Sequence, residues 1–453
     1  MSDISQEISE FGQTIFKAIG DAQPSSFNKN YWSGRIMEWA MTRPDFKLNM
    51  FRLVDVLPSL KDSQAIARHV NEYLGTVAKE MNWLFRWGLN MRTDSWRAKF
   101  TARCVNYAVR NMAAQFIAGE NARAALGPLK RIRRRGLAFT VDLLGEFSVS
   151  EREATQYLER YMEALGTLGR EFKSGTKSVM PGHPGEQSAN CISVKLTALY
   201  SQVNVLNSER SLRILSDRLA AIAARAKELG ALLYVDAEDT ASNQIIYKVF
   251  CEVFSSKEFK DFPIPGIVLQ AYQFAADEIL EKLLELGKSR GAPIAVRLVK
   301  GAYWDHETIL SQQNGWPSPL FSHKQSSDAN YERLSRKLID NYQLAMPAFG
   351  SHNVRSLSHA CIYAKQKGLG PKDFELQMLY GMADPIADAF KNSGYLVRLY
   401  VPLGETLPGM GYLVRRLLEN TSNESFLRHS FFDEDDFDQL MKEPIFSEES
   451  ASV

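Results

Sequence analysis

Cysteine is scarce in this chain. Cys104, Cys191, Cys251 and Cys361 are the only four among 453 residues, and no Cys-x-x-Cys pair occurs. That excludes a disulfide framework and a structural zinc, and it fits a reducing, cytoplasmic compartment. The seven histidines fall at no metal-ligand spacing, so no metal is expected. A run of about 18 apolar residues, the minimum for a membrane-spanning helix, is missing. A formal net charge of +1 argues against general nucleic-acid binding. The opening Met1-Ser2-Asp3-Ile4-Ser5-Gln6-Glu7 carries acid and no apolar core, unlike a secretory signal. A Gly-x-Gly-x-x-Gly turn is absent too: Asp142-Leu143-Leu144-Gly145-Glu146 closes the first strand candidate without one, which counts against a doubly wound dinucleotide fold.

What is present divides the chain into four. Residues 1–30 read as a flexible N-terminus and 31–135 as a helical arm or bundle, in which Ile36, Trp39, Ala40, Phe46, Met50, Leu53, Val54 and Leu57 recur at threes and fours with breaks at Pro44 and Pro58. Lys130-Arg131-Ile132-Arg133-Arg134-Arg135 ends that region, and cations suit a solvated helix C-terminus better than an anionic partner. From 136 to 430, short apolar runs alternate with helical ones. The strand candidates are Ala138–Leu144, Ser193–Leu199, Leu232–Asp236, Gly266–Ala271, Ile294–Val299, Ala345–Gly350, Phe374–Leu379 and Leu396–Val401. Strands buried on both faces, each followed by a helix, predict an α/β fold of the (β/α)8 TIM-barrel type, which takes up ~250 residues. Ser174–Asn190 reads as a surface loop, and 431–453 as an acidic tail that caps the fold and then frays.

Polar residues gather where the strands end. They are Lys195-Leu196-Thr197, Asp236 to Asp239, Gln270, Arg297 to Trp304, Ser351-His352-Asn353 and Tyr400. Each alone has a structural explanation: Arg297 can pair with Asp236, and His352 can be a satisfied core histidine. Together, at one end of consecutive strands, they point to an active site. Farther on, Arg415-Arg416 stand side by side in an apolar helical run, with Tyr412, Arg416 and Glu419 at i, i+4, i+7. Adjacent guanidinium groups suit a carboxylate ligand, although a solvated basic face remains the alternative. No Ser or Cys nucleophile has a convincing base. Cations (Lys195, Arg297, Lys300, Arg415, Arg416) and aromatics (Tyr303, Trp304, Tyr400, Tyr412) suit a planar cofactor and an anionic substrate, hence hydride transfer. A Schiff-base barrel lyase using Lys195 or Lys300 and a binding protein with a vestigial barrel stay open as rivals.

The segments Ser193-Val194-Lys195-Leu196, Val235-Asp236-Ala237-Glu238, Gln270-Ala271-Tyr272-Gln273, Arg297-Leu298-Val299-Lys300-Gly301-Ala302-Tyr303-Trp304, Ser351-His352-Asn353 and Tyr412 to Asn420 occur in this order. From about Asp142 to Phe426 the chain thereby resembles the proline dehydrogenase family, in particular the proline dehydrogenase half of the bifunctional proline utilization A flavoenzymes. The stretch around Trp39, Phe46 and Asp55-Val56-Leu57-Pro58 is similar to the N-terminal region of one branch. The resemblance implies a barrel holding non-covalent FAD that oxidises L-proline, its amine neutral, to Δ1-pyrroline-5-carboxylate by hydride transfer from C5 to flavin N5, the first step of proline catabolism. A quinone would accept the electrons, with peripheral contact at the inner membrane face. It implies that Lys195, Arg415 and Arg416 bind the substrate carboxylate, that Tyr303, Leu379, Tyr400 and Tyr412 line the ring, and that Lys195, Asp236 and Tyr303 orient it. The cofactor would fall to Asp236, Gln270, Arg297, Val299, Lys300, Gly301, Trp304, Ser322, Lys324, Ser351, His352, Asn353, Met378, Leu379, Glu419, Ser425 and Phe426. Where the family often has Thr-His-Asn, this chain has Ser351-His352-Asn353 and keeps a hydroxyl.

Overall fold

The computed structural model describes residues 3–21, 49, 52–53, 56–60, 62–75, 95–145, 147–173, 177–186, 188–382, 384–405 and 434–447. Among the described residues, four helices of seven residues or more precede the barrel: α1 (Asp3–Asp21), α2 (Ser63–Leu74), α3 (Trp96–Phe116) and α4 (Ala122–Arg134). Eight parallel strands then close on themselves in chain order. They are β1 (Ala138–Leu143), β2 (Cys191–Val194), β3 (Leu232–Val235), β4 (Gly266–Gln270), β5 (Ile294–Val299), β6 (Ala345–Gly350), β7 (Glu375–Leu379) and β8 (Val397–Leu403). The seam runs in register from Ala138 opposite Arg398 to Leu143 opposite Leu403. The expected TIM-type barrel with an N-terminal helical region is the fold.

Helices α5 (Glu151–Glu171), α6 (Ser208–Glu228), α7 (Thr240–Ser255) and α8 (Ala276–Arg290) follow β1 to β4. Two helices, α9 (Trp304–Asn314) and α10 (Lys324–Asp340), follow β5; α11 (Val354–Gln366) and α12 (Asp384–Asn392) follow β6 and β7. Their starts are written locally. Ser150 accepts from Glu153 N while Glu153 accepts from Val149 N, at 3.3 and 2.9 Å, a reciprocal cap that opens α5. Asp239 and Asn353 cap α7 and α11 in the simpler way.

Four expectations need correction. Strand two ends at Val194, and residues Thr197–Leu199 form a 3-10 turn; the apolar run continues because Leu196, Ala198 and Leu199 are core residues beyond the strand. Within 1–30, residues 3–21 are not a flexible leader. Ile8, Ile15, Phe16 and Ile19 are buried, and Phe11 meets Phe390 and Tyr395 edge-on, so α1 is bound to α11 and α12 by its apolar stripe. Of the expected surface loop Ser174–Asn190, residues 177–186 and 188–190 are described and are not all at the surface: Lys177, Pro181 and Gly182 are exposed, but His183, Gly185, Glu186 and Asn190 are buried. His183 Nε2 donates to Phe374 O (2.8 Å), and Gly185 O accepts from Arg398. The loop plugs the N-terminal floor of the barrel, where Arg398 also donates to Glu375 (2.9 Å) and to Phe139 O (3.0 Å). Finally, the basic end of α4 is solvated only in part: Lys130, Arg131 and Arg134 are exposed, but Arg133 Nη1 donates to both carboxylate oxygens of buried Glu186 at 2.9 and 3.0 Å, and Arg135 reaches Asp384 and Asp388.

The acidic tail supplies helix α13 (Glu434–Leu440), which lies against α1. Phe437 meets Phe16 at 5.4 Å, Met441 O accepts from Arg355 (2.6 Å), and Glu443 accepts from Ser5 (3.1 Å). Of the apolar positions expected in the helical arm, Leu53 and Leu57 are described and buried; Ile36, Trp39, Ala40, Phe46, Met50 and Val54 lie outside the described residues.

Candidate active site

Alternation along the strands decides which side chains meet inside the barrel. Asp142 on β1, Ser193 and then Lys195 at β2, Asp236 after β3, Arg297 on β5 and Tyr400 on β8 contact one another across it, while below them Thr140 donates to Cys191 and both Tyr234 and Arg398 reach Glu375. Gly266 makes room on β4, because a methyl there would overlap the Tyr234 ring. The lower layer is the Glu375–Arg398 floor. The upper layer is a cluster of four charges.

At its centre the Lys195 ammonium donates to Asp142, to Asp236 Oδ2 (3.2 Å) and to the Tyr400 hydroxyl (3.0 Å). Tyr400 in turn donates to Asp236 Oδ2 (2.6 Å), and Arg297 donates to Asp236 Oδ1 (2.9 Å) and Ser193 Oγ (3.1 Å). The guanidinium lies over the Tyr234 ring at 4.3 Å and near the Tyr400 ring at 5.2 Å. Both carboxylates and Arg297 are buried, and among the described residues two cations face two anions, which offsets the cost of burying the charge.

The balance is uneven. Burial pushes the Asp142 carboxyl up to about 6, a rise that Lys195 opposes and Asp236 reinforces. Burial also pushes on Asp236, but Lys195 and Arg297 outweigh it and hold that carboxyl below the usual range. For Lys195 burial opposes the charge, and Asp142, Tyr400 and Asp236 together overcome it and raise the ammonium well above its ordinary value. A lysine held that firmly in its charged form is a poor Schiff-base nucleophile. Lys300, the other lysine considered for that chemistry, stands outside the cluster and pairs with Asp328 of α10 at 2.6 Å. Burial lowers it, against the opposing pull of Asp328.

Of the residues expected at the site, the structure brings Lys195, Asp236, Arg297 and Tyr400 together. Gln270 is buried nearby, its Oε1 accepting from Asn243 (2.8 Å) and Gln273 (2.7 Å) and its Nε2 donating to Glu238 O (3.0 Å). Val299 and Gly301 lead out of β5 to Tyr303, which precedes α9, and the indole of Trp304 donates to Phe321 O (2.9 Å). Ser322 and Lys324 are exposed at the start of α10. At the β6 exit Ser351 Oγ accepts from Asn353 N (3.0 Å), and His352 Nε2 accepts from Leu379 N (2.9 Å), which leaves the neutral ring protonated on Nδ1. Met378 belongs to the apolar core around the sheet, whereas Leu379 is half-buried at the β7 exit. Tyr412, Arg415, Arg416, Glu419, Ser425 and Phe426 lie outside the described residues. Sequence reasoning passed over Asp142, Ser193 and Tyr234; the available signal was an acid inside an otherwise apolar strand, two positions beyond Thr140.

Comparison with known proteins matches this geometry to a family. The proline dehydrogenase family model matches residues 125–429, and the proline utilization A N-terminal domain matches residues 5–116. The bifunctional protein PutA of Escherichia coli is 29% identical over 77% of this chain, which spans 26% of that protein. Proline dehydrogenase 2 of Bacillus subtilis is 27% identical over 71% of this chain and 90% of its own length. Among solved structures, proline utilization A from Bdellovibrio bacteriovorus inactivated by N-propargylglycine has a TM-score of 0.85 and 40% identity, covering 98% of this chain and 44% of that one. The chain thus spans less than half the length of its proline utilization A relatives. Since the first match takes in every barrel strand and the charge cluster at the mouth, the chain belongs to the proline dehydrogenase family.

Proposed function

We propose that the chain is an FAD-dependent proline dehydrogenase, oxidising L-proline to Δ1-pyrroline-5-carboxylate and delivering the electrons to a quinone. The observation that carries this reading is the buried Lys195–Arg297 pair of cations at the barrel mouth, flanked by tyrosine rings. The donor set suits the cofactor: Arg297 stacks on Tyr234 and, among the described residues, its buried Nε has no hydrogen-bond partner, an arrangement that favours a ring system with acceptor atoms. FAD, when bound, supplies the hydride acceptor. Arg297, with Gln270, would hold its ring edge, and Val299, Lys300, Gly301, Trp304, Ser322, Lys324, Ser351, His352, Asn353, Met378, Leu379, Glu419, Ser425, Phe426 and Asp236 the remainder.

The substrate is the task of the other side chains. Lys195, Arg415 and Arg416 would take its carboxylate, Tyr303, Leu379, Tyr400 and Tyr412 would enclose the ring, and Asp236 would brace the cations. No described helix is long and apolar enough to cross a membrane, so access to a lipid-borne quinone is proposed to be peripheral. The test is an absorbance spectrum of the purified protein before and after anaerobic addition of L-proline. Flavin bands that bleach with proline are expected. A protein that stays colourless after incubation with FAD would overturn the reading.

A further inference from the structure

We propose that a carboxylate ligand entering the cluster is accompanied by one proton, taken up from solvent by Asp142. The proposal rests on the reading that Lys195 meets the substrate carboxylate. An ammonium has three protons, and all three of Lys195's are directed to acceptors within the protein: Asp142, Asp236 and Tyr400. A ligand can therefore gain Lys195 only by displacing one of them. Asp236 and Tyr400 hold each other at 2.6 Å, and Asp236 keeps Arg297 at 2.9 Å, so both stay satisfied when Lys195 turns away. Among the described residues Asp142 has no second ion-pair partner besides Lys195, only the neutral Tyr400 hydroxyl as a further hydrogen-bonding neighbour.

Whatever charges surround the cluster in the free protein, the ligand changes them in one direction. It adds a negative charge beside a buried carboxylate, and it draws on the cation that carboxylate depends on. Both effects favour the neutral acid at Asp142. Its neighbours cannot take the proton instead. Lys195 is already charged, and the described titratable groups facing Asp142 from the other elements are Asp236, Tyr400 on β8, and Tyr157 and Tyr161 on α5. Asp236 is held ionised by two cations, and the tyrosines are raised and remain protonated. Asp142, already pushed up to about 6, is the group within reach of neutral pH. Glu146, Arg415 and Arg416 lie outside the described residues.

The experiment is calorimetric titration of the FAD-loaded protein with cyclopentanecarboxylate, whose single ionisable group stays charged, in buffers of different ionisation enthalpy. Uptake of up to one proton is expected, with affinity falling by up to about tenfold per pH unit above the free-state value. Asp142→Asn should bind at least as tightly without proton uptake and with a flat pH profile. Binding with no proton uptake in the wild type, or uptake that persists in Asp142→Asn, overturns the proposal while leaving the carboxylate site standing; no binding at all overturns both. Should Asp142→Asn fail to fold, difference infrared spectroscopy of the wild type decides, since a protonated-carboxyl band must appear on ligand addition and its absence rules the proposal out.

Discussion

Lys195 is the residue on which the upper layer depends, and its removal has a consequence with a definite pH signature. Lys195→Met would strand Asp142 in the core, a loss of about 3–5 kcal/mol for a broken buried pair. The sign follows from Asp142. Its folded-state value lies above the ordinary carboxylate value of 3.8 even with Lys195 present, so its ionisation costs stability as pH rises toward and through that folded value, and the variant raises the value further. The melting-temperature gap between variant and wild type should therefore be smaller at about pH 5.5 than at about pH 8. An equal gap at both ends would remove Asp142 from the ion cluster. At this scale the sequence was legible where polarity broke an apolar pattern, just after a strand at Lys195 and Asp236 and within one at Arg297. It was less so where one position mattered: Lys300 reads like Arg297 in a linear motif, yet being three residues on it meets Asp328 instead of Asp236.

At the scale of elements, β5 and α9 show how backbone and site are joined. Gly301 has φ +136, and a methyl there would overlap the Tyr272 ring. That ring is fixed in turn, its hydroxyl donating to Glu307 Oε1 (2.9 Å) and its backbone N to Lys300 O (2.8 Å). Gly301→Ala should therefore cost about 2–3 kcal/mol and displace the segment carrying Tyr303 and Trp304. Thermal melts and the flavin content of the purified variant check this; an equally stable protein that keeps its full flavin complement would show that the segment adapts. Strand existence was readable because buried parallel strands are continuous apolar runs. The end of β2 was not, because Leu196 and Leu199 extend the same run into the core without forming strand. The 177–190 plug was hidden for a different reason: its glycines and prolines have loop composition, and only the empty floor of a closed barrel gives such a loop somewhere to be buried.

For the whole molecule, the two polar layers divide the labour of the barrel. The floor holds Glu375 ionised, burial notwithstanding, because Arg398 outweighs the desolvation. Arg398→Met should lose about 3–5 kcal/mol of stability with KM for proline little changed, since Arg398 binds β1, β7 and the plug and makes no described contact with the Lys195 cluster; urea unfolding and steady-state kinetics separate the two effects. A large rise in KM with intact stability would place Arg398 in substrate binding instead. Closure of eight strands was legible as a repeat, but the docking of α1 was not, because its partners lie far away in the sequence. Gln366 donates to Glu7 across 359 positions and Ser5 to Glu443 across 438. That separation imposes an order of events during synthesis. The surface that α1 covers emerges long after α1 itself, so its apolar face must wait, exposed or chaperoned, until α11 and α12 are made. A helix made before its partners can dock only once they appear.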